Sequence, residues 1–158
     1  MVDTSSILFS FTRVDNFYEL MIDREDITTN LFDGVTKNFK IVLVEECENN
    51  ARDNINADGT LNTDVVTVIN GEDEGDGECA LLWSVGVNTN RTISIADSSV
   101  TYDLGDNSYL LKGAFLVVAN SGVVLSYSIN NAPIPISSSF TAPVDGMIWS
   151  IRNQVYEG

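Results

Sequence analysis

The sequence predicts an all-β protein, an antiparallel β-sandwich of jelly-roll or Ig-like type, preceded by an N-terminal arm or short helix. Three observations lead there. Short runs rich in Val, Ile, Leu, Tyr and Phe recur along the chain. Asp-Gly, Asn-Gly and Ser-Gly turn signals separate many of them, at spacings of roughly 8–12 residues. Helical periodicity is confined to one segment, Asn16 to Asp26. With 158 residues the chain fits one domain, long enough to bury roughly 70% of its unfolded surface without staples.

Taken in order, residues 1–36 form the arm or short helix and residues 37–158 the sandwich. In the first region Ile7, Leu8, Phe9, Phe11, Phe17, Tyr18, Leu31 and Phe32 stand among polar residues without a sustained period. Two readings stay open: an arm that packs on a neighbouring subunit through Ile7, Phe9 and Phe11, or a first strand and short helix closing the sandwich. Phe39-Lys40-Ile41-Val42-Leu43-Val44 is β-branched, lies beyond Asp33-Gly34 and runs into acids. It predicts a strand over 39–45. Further strands are expected at 64–70, closed by Asn70-Gly71, at 80–87, and at Thr92 to Ile95, which alternates with period two. The long apolar run 109–119 carries Lys112-Gly113, where a bulge is expected. Ser121-Gly122 turns it into 123–129 as a hairpin partner. Ile134-Pro135-Ile136 reads as an edge strand, because proline has no N–H for a neighbour. Asp145-Gly146 leads into a last strand at 147–152. Seven to nine strands are expected in all.

Composition narrows function by exclusion. Eight Lys and Arg against 23 Asp and Glu leave a net charge of -15. Such a surface repels phosphate, so neither nucleic acid nor an anionic membrane is an expected partner. Histidine is absent from the sequence, which removes histidine-based triads and histidine-ligated zinc. No apolar run approaches the ~18 residues of a transmembrane helix, and Met1-Val2-Asp3-Thr4 lacks the basic start of a signal peptide. Cys47 and Cys79 are too few for a disulfide framework and too distant for a CxxC site. Flanking acids (Glu46 and Glu48; Glu78) should raise their thiol pKa values, so two reduced, semi-buried cysteines are expected. The acids are bunched: residues 1–79 hold 18 acids and five bases, residues 80–158 five acids and three bases. That asymmetry points to two faces with different partners, or to acidic loops gathered at one end of the sandwich.

Candidate sites are few. Asn54 to Leu61 matches the front of a calcium loop, with oxygen side chains at alternate positions and a turning glycine, which makes Asn56, Asp58 and Asp64 candidate ligands. Asp64 falls one residue early for the closing acid, and the flanks read as strands. An ordinary Asp-Gly turn between strands is the favoured reading, and no metal or other cofactor is expected. Glu72, Asp73, Glu74, Asp76 and Glu78 crowd five acids into loop 71–78; it reads as a solvated loop or as a divalent-cation site. Trp83, Tyr102, Tyr109 and Trp149 are either core aromatics or platforms for sugar stacking. No nucleotide loop or nucleophile elbow is present, and no catalytic residues are assigned.

Four stretches follow in order in the C-terminal third: Tyr102-Asp103-Leu104-Gly105, then Leu110 to Val117, then Val124-Leu125-Ser126-Tyr127, then Phe140 to Trp149. Over residues ~100–152 this phrasing resembles small β-sandwich accessory proteins of tailed-bacteriophage virions, those of crAss-like phages above all. The resemblance implies a non-enzymatic structural protein, such as a capsid auxiliary or decoration subunit. It would bind the major capsid protein and neighbouring virion proteins as lattice-bound copies or a homo-oligomer. It would be assembled in the host cytoplasm and carried in the virion. The alternative is a carbohydrate- or receptor-binding module of a head fibre or tail accessory.

Overall fold

A computed structural model describes residues 12–13, 32–69, 76–85, 91–97, 99–143 and 148–151. The expected helix at 16–26 and the anchor residues Ile7, Phe9 and Phe11 lie outside the described residues. Within them the chain is all-β, with nine strands in two antiparallel sheets. They are β1 (Thr12–Arg13), β2 (Phe39–Glu46), β3 (Thr67–Val68), β4 (Glu78–Cys79), β5 (Leu81–Val85), β6 (Arg91–Ile95), β7 (Ser99–Val118), β8 (Val124–Pro143) and β9 (Ile148–Ile151). The larger sheet runs β1-β8-β7-β2, and the far edge of β2 is shared by β3 and β4. The smaller sheet runs β5-β6-β9.

In the larger sheet β2 lies between β7 and the edge formed by β3 and β4. Phe39, Ile41 and Leu43 are fully buried on one of its faces, as period-two alternation requires. Phe32 stacks on Phe39 with ring centroids 5.1 Å apart, and the Gly34 N–H donates to the Leu81 carbonyl at the smaller sheet. Residues 32–34 are thus built into the body of the sandwich. On the opposite face Val44, Phe115, Val117 and Val124 pack with Val66, and Ile55, Leu61, Val65 and Cys47 cover them.

The hairpin β7–β8 makes the sandwich fold back on itself. Its register slips by one residue between Leu116 and Val117 and opens widely at two further places. Between Asp103 and Ser108 four residues of β7 stand opposite one of β8, and between Ile134 and Ile129 four residues of β8 stand opposite Lys112. Each bulge therefore adds three residues, one to each strand, so the pairing beyond both returns to its original register. Large bulges bend the strand that carries them. The bend is measured by Ile41, which pairs with Leu116 of β7 yet accepts a 2.6 Å hydrogen bond from the hydroxyl of Tyr102, fourteen residues away on the same strand. A straight strand would separate Tyr102 and Leu116 by roughly 46 Å at about 3.3 Å per residue. The distal half of the hairpin must fold over β2.

Several expectations are corrected. Of the expected strand 64–70, residues 64–69 are described and only Thr67–Val68 is strand, because the Asn62 side chain accepts from Asp64 N–H and its carbonyl from Val65 and Val66 N–H, which makes a turn. Ile134-Pro135-Ile136 is not a separate strand but the middle of β8, paired to Tyr109–Leu111. β7 begins ten residues before the expected Tyr109. The register does break at Lys112-Gly113, but the extra residues of that bulge, 130–133, belong to β8 rather than to the 109–119 run; the turn at Ser121-Gly122 is where the residue pattern puts it.

Candidate functional site

Residues 54–65 use their polar side chains to hold turns. Asn54, fully buried, donates to the Glu48 carbonyl at 2.9 Å and accepts from the Glu48 N–H at 2.8 Å. Asn56 donates through Nδ2 to Thr60 Oγ1 and to the Leu61 carbonyl. Asp58 Oδ1 accepts from Thr60 N–H at 3.0 Å and from Thr60 Oγ1 at 2.6 Å. Those bonds to the charged form hold its carboxyl below the usual aspartate range. Gly59, at φ 94°, completes the turn, and its carbonyl accepts the Val124 N–H that docks this loop on the hairpin. Asp64 belongs to the next turn, made by Asn62. The candidate ligands thus serve two separate turns. Among the described residues no group of three or more Cys, Asp or Glu is placed to hold a metal ion.

The acidic loop is described at Asp76 and Glu78. Glu78 is exposed. Asp76 departs from the expected solvated loop: it is buried, and its Oδ2 accepts the Asp103 N–H at 2.9 Å. Beside it Gly77 accepts from Ile41 N–H and donates to the Thr101 carbonyl. A Cβ on Gly77 would lie 2.5 Å from the Ile41 oxygen and 2.8 Å from the Tyr102 ring. Asp76, Gly77, Ile41 and Tyr102 form one junction that ties the folded-over half of β7 to β2. Asp97 plays a similar part, accepting the Ala80 N–H at 2.8 Å and pairing with Lys37.

Both cysteines are free thiols. Burial, then the charge of Asp97, pushes Cys79 up to about 12, and burial also raises Cys47. The flanking acids named from the sequence matter less than desolvation. Of the aromatics, Tyr102 is core and unavailable for stacking on a sugar, whereas Tyr109 is half-buried. Trp83 and Trp149 lie in one cross-strand row of the smaller sheet, on either side of Ile93.

Sequence reasoning missed the outer face of the folded-over half of the hairpin. There three in-register pairs are exposed on both strands: Thr101 with Thr141, Ser108 with Ser137, and Leu110 with Pro135. Leu110 is 51% exposed. The alternation of Ser99-Val100-Thr101-Tyr102-Asp103-Leu104 was the signal that marks this face. No protein family, curated protein or solved structure matches the chain.

Proposed function

We propose that this chain is a non-enzymatic virion structural protein of a tailed bacteriophage, a capsid auxiliary subunit seated on the major capsid protein and assembled in the host cytoplasm. The observation that carries the reading is how charge is distributed over the frame. The described acids Asp33, Asp58, Asp76 and Asp97 accept backbone N–H groups that hold loops in place. The hairpin of the C-terminal half, where the phage resemblance lies, turns outward a Ser/Thr/Leu/Pro face whose paired positions carry one charge, Asp103. Such a division suits a subunit that meets proteins with one part and water with the other.

The test is occupancy on particles. Capsids assembled without this chain should take it up from solution and retain it through sedimentation. Removing residues 2–12, with Ile7, Phe9 and Phe11 and the Thr12 half of β1, should weaken uptake while the rest of the sandwich stays folded. If the truncated protein decorates at full occupancy, the arm is not the anchor. If the intact chain fails to bind capsids but binds glycans in a chelator-sensitive way, a carbohydrate-binding module replaces the virion reading.

A further inference from the structure

From Gly113 to Pro143 the sequence contains not one Asp, Glu, Lys or Arg, in a chain whose net charge is -15. This run includes all of β8. Part of the neutrality follows from burial, since residues 113–117 and 124–126 are inside. The rest does not. Asn131, Ala132, Pro133, Pro135, Ser137 and Thr141 are exposed, where charge costs nothing and ordinarily guards a strand against pairing. Of all the in-register pairs between β7 and β8, only Asp103 with Ser139 contains a charge. The Asp103 carboxylate accepts the Gly105 N–H.

We infer that this ribbon face is where a second copy of the chain docks, in a two-fold contact centred on the Leu110–Pro135 pair. The argument is electrostatic. Two bodies carrying -15 each repel wherever their acidic loops approach, so copies meet most closely across the surface poorest in charge; among the paired positions of this face Asp103 is the one carboxylate, and it lies away from the Leu110–Pro135 centre. A basic partner would instead be drawn to the acidic loops and gain nothing from a neutral ribbon. In a two-fold contact each side presents the same patch. Leu110 and Pro135 then supply buried apolar area, while Ser108, Ser137, Thr101 and Thr141 supply hydroxyls that both donate and accept, and so can face their own copies. The inference does not depend on the virion reading, because the isolated chain tests it.

Sedimentation velocity of the full-length chain over a concentration series, at low and high sodium chloride, decides the matter. A monomer–dimer equilibrium is expected that tightens as salt rises, because salt screens the repulsion outside the contact. Leu110→Asp places two like charges near the axis and should weaken association at least about tenfold. Ser137→Asp, on an exposed position that folding does not need, should do the same with an unchanged circular dichroism spectrum. A chain that stays monomeric at every concentration and salt overturns the inference. So does a dimer indifferent to both substitutions, or one that loosens with salt, which would mean opposite charges hold it.

Discussion

Between Gly113 and Val117 every residue of β7 is buried, whereas from Ser99 to Leu104 burial alternates strictly with exposure. The two stretches belong to one strand and pair with the same partner. The near stretch is buried on both faces: residues 47–66 cover Phe115 and Val117 on one, and on the other Leu116 pairs with Ile41, which the folded-over half of the hairpin reaches through Tyr102. The far stretch is the cover, and so has only one inner face. A strand buried on both sides reads as a continuous apolar run, and one buried on a single side as alternation. The contrast shows that the number of layers over a strand, more than its sheet membership, sets its composition.

Substitution should separate the two stretches sharply. Phe115→Ala, in the doubly covered stretch, removes a ring with no exposed surface and should cost about 3–5 kcal/mol in urea unfolding. Thr101→Ala, on the outer face of the far stretch, should change stability by less than about 0.5 kcal/mol. Comparable losses at both sites would break the comparison.

The junction between the stretches comes next. Gly77→Ala demands a side chain at φ 81° and 2.5 Å from a backbone oxygen, so a loss of about 2–4 kcal/mol is expected. Tyr102→Phe should cost about 1–2 kcal/mol, because the Ile41 carbonyl loses its 2.6 Å donor in a dry site. If Tyr102→Phe is neutral, the fold-back rests on packing alone.

A smaller effect reads the same region through pH. Cys79 has its pKa pushed up to about 12 by burial, while in the unfolded chain a thiol ionises near its ordinary ~8.5. The native state therefore binds more protons above that value, and stability falls as pH rises from there toward 12. At pH ~10 the loss from this thiol is about 1–2 kcal/mol. Cys79→Ala should flatten that part of the curve. In native protein a thiol reagent should label half-buried Cys47 well before Cys79.

The doubly covered run Gly113 to Val117 is legible because its character is continuous and local. The far stretch was overlooked for an equally local reason: Gly105-Asp106-Asn107 reads as a break, and in the structure those residues are extruded by the β7 bulge. Val100, Tyr102 and Leu104 were then too few to stand alone. Likewise Asn56 and Asp58 announce a turn, because Asx chemistry acts over two or three residues. The bond from Tyr102 to Ile41 spans sixty-one residues and leaves no mark in either neighbourhood. The burial of Asp76 is hidden in the same way, since its partner is a backbone N–H brought by the folded hairpin.

The Tyr102 hydroxyl also bears on the order of events during folding. The turn at 119–122 lets β7 and β8 zip locally, and β2 must then find β7 across a long loop. Only after that, and after both bulges have bent the ribbon over, does Ile41 come within reach of Tyr102. This bond should therefore form late, on the native side of the rate-limiting barrier. In a chevron plot Tyr102→Phe should leave the refolding limb almost unmoved and raise the unfolding limb. A single hydroxyl would then set how long the molecule stays closed rather than how quickly it closes.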